Sequence, residues 1–79
     1  MRREKLLRRI TANPQNVRFS DLCAAAESVG FIFKRQTGSH RFYAHPRLKA
    51  IVNFQERRGM AKPYPVRQFI ALLSELGDT

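Results

Sequence analysis

The sequence predicts an α+β fold: a three-stranded antiparallel sheet with two helices on one face, and a basic helical extension in front. Three observations predict it. Apolar residues recur with a helical period up to Gly30, alternate beyond it, and return to a helical period after Pro65. Glycine and proline fall at the joints between these stretches. The 79 residues suffice for one core only, since a chain of this size buries about 60–65% of its extended surface on folding. A cleft between domains and a dinucleotide-binding sheet are therefore excluded.

Residues 1–11 read as a short basic helix striped by Leu6, Leu7 and Ile10. Pro14 biases Asn13 away from helix, so residues 13–16 form a break. The next helix is expected to start at Ser20, a good N-cap, with Asp21 at the positive end of its dipole. Leu22, Ala25, Ala26 and Val29 make its apolar face, and Gly30 suits the C′ position. Phe31 to Gln36 is β-prone, Thr37-Gly38 is a turn, and Ser39 to Ala44 is a second strand closed by Pro46. Ala50 to Phe54 makes a third short strand, and Gln55 to Lys62 a polar, basic loop. The last helix begins near Pro65 at N1, buries Val66, Phe69, Ile70 and Leu73, and ends at Gly77. Residues 1–16 are thus a basic N-terminal extension and 17–79 a single α+β domain. The extension reads as a solvated arm or, more sharply, as an extra contact for RNA or a partner.

The net charge is +9, from 15 Lys and Arg against six Asp and Glu, and it is unevenly spread. Residues 1–11 carry +4 and residues 31–67 carry +8, while 12–30 and 68–79 carry −1 and −2. Such an excess favours a polyanion, nucleic acid before an acidic protein or a membrane surface, with a merely basic small protein as the plain alternative. No apolar run approaches the roughly 18 residues that span a bilayer, and the basic N-terminus lacks the apolar stretch of a secretory signal. One cysteine, Cys23, cannot pair internally, which fits a reducing cytoplasm.

Two histidines flank the second strand. His40 follows Gly38-Ser39 at its mouth, near Lys34, Arg35 and Arg41, and His45 sits at its far end. Two His, one Cys and six scattered carboxylates offer no metal-ligand spacing, so neither metal nor cofactor is expected. No serine lies in a nucleophile elbow. A histidine among cations can instead move a proton at an RNA phosphodiester, whose own 2′-hydroxyl is the nucleophile. The plainer reading of such a histidine is a solvated strand residue. Cys23 reads as inert packing, Gly38 as a turn residue, and Phe31, Phe33 and Phe42 as core. Alternation puts Tyr43 with Arg41 on the face opposite Phe42, within reach of RNA. It also puts His40 with Phe42, so the strand end or a bulge must bring His40 to solvent.

The stretch from Gly30-Phe31-Ile32-Phe33-Lys34-Arg35 through Gly38-Ser39-His40-Arg41-Phe42-Tyr43 to His45-Pro46 resembles the HicA toxins, small mRNA interferases of bacterial type II toxin–antitoxin systems. The likeness runs loosely on through Ala50–Phe54 and Lys62-Pro63, covering about residues 18 to 76. It implies a fold like a double-stranded-RNA-binding domain, α-β-β-β-α. It implies metal-independent mRNA cleavage with His40 as the catalytic residue, translation and growth arrest as the outcome, and an acidic HicB-type antitoxin as partner. RNA contacts are then expected from Lys34, Arg35, Ser39, Arg41, Arg57, Arg58 and Lys62. Where many HicA sequences carry a Pro-His pair, this chain reads Asn53-Phe54-Gln55, so no second histidine carries over. The competing reading is a non-catalytic RNA-binding module, which would do as well with Lys or Arg in place of His40.

Overall fold

A computed structural model describes residues 2–77. Its elements are α1 (Arg3–Ala12), α2 (Phe19–Ser28), β1 (Ile32–Thr37), β2 (His40–Ala44), β3 (Val52–Arg57), β4 (Met60–Ala61) and α3 (Pro63–Leu76). The strands form one antiparallel sheet in the order β1-β2-β3-β4, with α2 and α3 packed on one face. The expected α-β-β-β-α arrangement is therefore present, with a fourth short strand added to the sheet.

Gly30 ends α2 as its spacing requires. At φ +99° it lets its own N–H reach Glu27 and the Phe31 N–H reach Ala26, satisfying two orphan carbonyls of the last turn. At the other end the expected Ser20 cap is displaced. Arg18 is the N-cap and makes no side-chain cap, because the first-turn N–H of Phe19 bonds the Gly59 carbonyl at 2.9 Å instead. Likewise α3 starts at Pro63 rather than Pro65, with Lys62 before it, and Gly77 closes it in the left-handed conformation.

The stretch from Gln55 to Lys62, expected as a loop, is strand and tight turn instead. β3 continues to Arg57, and Arg58 (φ 53°) and Gly59 (φ 81°) turn the chain directly into β4. Two successive left-handed residues match the twist of a tight hairpin. β4 is in turn covered by the segment entering α2, since Ala61 N–H bonds Val17 O at 2.8 Å and Arg18 bridges Met60. On the opposite edge β1 is exposed throughout, and its register slips at Lys34 between Phe33 and Arg35. That bulge and its charge blunt an edge that would otherwise invite strand pairing.

Leu22, Ala25 and Ala26 of α2, Val66, Phe69 and Leu73 of α3, and Val52 and Phe54 of β3 form the core. Aromatic rings run through it, Phe31 to Phe69 (5.7 Å), Phe69 to Phe54 (5.9 Å) and Phe54 to Tyr43 (5.5 Å). Two expectations fail here. Tyr43 is fully buried rather than facing RNA, while Phe33 is 44% exposed and Phe42 only half-buried. Alternation along β2 holds, but the face it turns to the helices is the one bearing Tyr43. The solvated-arm reading of the N-terminus fails too, because Leu6 and Ile10 of α1 are buried in the same core.

Candidate functional site

Because Tyr43, Val52 and Phe54 point at the helices, the residues alternating with them point away. On β2 these are His40 and Phe42, and on β3 they are Asn53 and Gln55, directly opposite Phe42 and His40 respectively. No special bulge at His40 is needed: the open face of the sheet is its own face. The bulge lies one strand away, at Lys34, and aligns Arg35 with Phe42. The Arg35 guanidinium lies 4.2 Å from the centre of the Phe42 ring, a cation–π contact on the face that carries His40.

His40 Nδ1 lies 3.0 Å from Asn53 Oδ1. An amide oxygen only accepts, so Nδ1 carries the proton and donates it, leaving Nε2 as the ring's acceptor. Asn53 thereby fixes both the tautomer and the orientation of the imidazole. In the sequence Asn53 stands out only as a departure from a motif. The signal that could have found it was register, since a β3 running to Arg57 sets Asn53 diagonal to His40 on one face.

The expected cations divide. Arg35 flanks His40 on the β1 side, and Lys62 lies on the β3 side, where its own N–H bonds Gln55 O at 2.9 Å. Arg57 follows Gln55 on the same face. Lys34 in the bulge, Ser39 in the β1–β2 turn and Arg58 in the β3–β4 turn are exposed around its rim, and both turns lie at the end of the sheet that holds His40. Arg41 is not brought to this group. It lies on the other face, its Nε donating to Tyr43 Oη at 3.0 Å, its second nitrogen bonding Gln36 at 3.3 Å, and its guanidinium 4.5 Å from the Phe33 ring.

Tyr43 itself donates to Glu27 Oε2 at 2.6 Å. Burial pushes its phenol up, and the Glu27 bond adds to the shift. Cys23, beside it in the core, is likewise raised by burial and stays a thiol, as inert packing requires. His45 is structural. It is buried, donates from Nε2 to Val29 O at 2.9 Å, accepts the Arg47 N–H on Nδ1 at 3.1 Å, and sets its ring against Phe31 at 4.9 Å.

Between β3 and the start of α3 the open face dips into a concavity of about 340 Å³, lined by Asn53, Gln55, Lys62, Pro63, Tyr64, Pro65 and Gln68. Among the described residues no three of His, Cys, Asp and Glu gather as metal ligands, and no helix is long and apolar enough to cross a membrane. The family model described as HicA toxin of bacterial toxin-antitoxin matches residues 19–74. No curated protein and no solved structure matches the chain.

Proposed function

The chain belongs to the HicA toxin family of bacterial toxin–antitoxin systems, whose model spans more than two thirds of it, and from that premise we propose that it is an mRNA endoribonuclease working in the cytoplasm through His40. One observation carries the reading: Asn53 holds His40 on the open, basic face of the sheet with Nε2 as its acceptor. A bound RNA presents a 2′-hydroxyl, and Nε2 takes its proton as the oxygen attacks the adjacent phosphorus. The new 2′-O–P bond forms, the P–O5′ bond breaks, the 5′-oxygen takes a proton from water, and the hydroxide left behind takes the proton from Nε2, which restores the neutral ring. The product strand carries a 2′,3′-cyclic phosphate. Arg35, Arg57 and Lys62 hold the phosphates and offset the charge that builds on the phosphorane. Lys34, Ser39 and Arg58 extend this contact along the rim. The chemistry needs no metal, because the nucleophile belongs to the substrate.

Family membership also implies an antitoxin partner. We assign it an acidic HicB-type surface that covers the same face and shields His40, since +9 of net charge favours such a partner electrostatically.

The test is single-turnover cleavage of a long mRNA in excess EDTA, alongside affinity for a 2′-O-methyl RNA of the same sequence at fixed salt. The wild type should cut the RNA and leave DNA intact, since DNA lacks the nucleophile. His40→Ala should lose about 10²–10⁴-fold in rate with little change in affinity. Full activity in His40→Ala, a Mg²⁺ requirement, or equal cutting of DNA would overturn the mechanism. Binding without any cleavage by the wild type would put the non-catalytic RNA-binding module in its place.

A further inference from the structure

We propose that the concavity between β3 and the start of α3 receives one nucleobase of the RNA, next to the phosphate on which His40 acts. RNA as the ligand rests on the reading above; the pocket rests on its own geometry. Tyr64 stands at its rim 77% exposed, the most exposed of the large hydrophobic side chains among the described residues, and nothing in the core calls for an aromatic there. Pro63 and Pro65 flank it and stiffen the backbone that carries it. A rigid, solvent-facing ring of this kind is a stacking platform for a base.

Amides line the rest of the concavity, Asn53 and Gln55 from β3 and Gln68 one turn along α3 from Tyr64. Asn53, Gln55 and Gln68 each present a donor and an acceptor, the chemistry that reads base edges. Asn53 spends its oxygen on His40 and keeps its NH₂. Gln55 is the direct cross-strand partner of His40, which sets the pocket against the reacting position.

A phosphate is the competing occupant; the Lys62 side chain in the lining serves the neighbouring phosphate, and the backbone at the start of α3 is poorly made to hold one inside. Pro63 and Pro65 have no N–H, and the Lys62 N–H is already bonded to Gln55 O. Of the four residues Lys62–Pro65 this leaves the single amide of Tyr64, so the anion cradle of an ordinary helix N-terminus is dismantled. The volume, at the lower limit of the roughly 300–1,000 Å³ of small-molecule sites, suits one planar ring system.

The probes are a 2′-O-methyl RNA 12-mer, which cannot be cut, and an abasic chain with the same sugar–phosphate backbone. Tyr64→Ala should weaken binding of the base-bearing 12-mer about 5- to 100-fold and leave the abasic chain nearly unchanged, while Tyr64→Phe behaves as wild type. On cleavable mRNA, Tyr64→Ala and Gln68→Ala should flatten the base preference at one fixed position beside the cut. Equal affinity of Tyr64→Ala and wild type for the base-bearing 12-mer overturns the pocket. So does an equal loss on both probes, which would mark a backbone or protein-docking contact. A wild type that cuts no RNA but shows Tyr64-dependent, base-dependent binding overturns the ribonuclease reading and upholds the pocket.

Discussion

Tyr43 gives up its hydroxyl proton to a bond with Glu27 at 2.6 Å while accepting one from Arg41 at 3.0 Å, all at the margin of the core. Burial comes first and the Glu27 bond second in holding its phenol above the ordinary value of 10.0. Below pH ~10 both folded and unfolded chains keep that proton, and the stabilisation is fully present. Above it the unfolded chain releases the proton first, so stability falls as pH rises toward the folded value. Cys23, raised by burial from 9.0, acts with the same sign from about pH 9. Urea midpoints should therefore decline through the alkaline range, with a shallower decline in Tyr43→Phe than in wild type; parallel declines would show that the phenol has no part in it. At this scale the sequence is legible in one respect and silent in another. Strand alternation correctly separates Tyr43 from Phe42 and joins His40 to Phe42. Alternation does not say which of the two aromatics turns inward, and the group that meets the Tyr43 hydroxyl, Glu27, stands sixteen positions earlier on another element, where a strand pattern has no view of it.

Among the elements, α1 departs furthest from expectation. Its stripe of Leu6 and Ile10 was legible, but periodicity says that a helix has an apolar face and not that a neighbour waits to cover it. The family model begins at residue 19, after this helix, yet α1 shares the core with α2 and α3. Leu6→Ala and Ile10→Ala should each cost about 2–5 kcal/mol of stability in urea unfolding, and the exposed Lys5→Ala less than about 0.5. Unchanged stability in both apolar variants would return the segment to a solvated arm. β4 was illegible for a different reason. Two residues carry no period, and an Arg-Gly turn lacks the Asn-Gly or Asp-Gly pair that marks a hairpin. The same lack of period in Gln55–Arg57 conceals the register that brings Asn53 to His40.

For the molecule as a whole, the excess of positive charge was plain in the sequence, while its division between two faces was not. Arg35, Arg57 and Lys62 share a face with His40, and Arg41 is held on the other by Tyr43 and Gln36. The slope of log affinity against log salt for single-stranded RNA counts the phosphates a face neutralises, about 0.7 for each. Lys62→Ala should reduce that slope by about 0.7, and Arg41→Ala should leave it unchanged. A reduction in both would mean that RNA wraps past the sheet edge. The seal on that sheet has a consequence of another kind. Hairpins β1–β2 and β2–β3 join near neighbours, but Val17 meets Ala61 across most of the domain's length. Closing so long a loop costs entropy that only late contacts recover. In chain order the strands that carry His40 and Asn53 come before the strand that seals the sheet, and α3, with Val66, Phe69 and Leu73 of the core, comes after both. The seal and the helix that fills the core are therefore the last parts of the fold to become available.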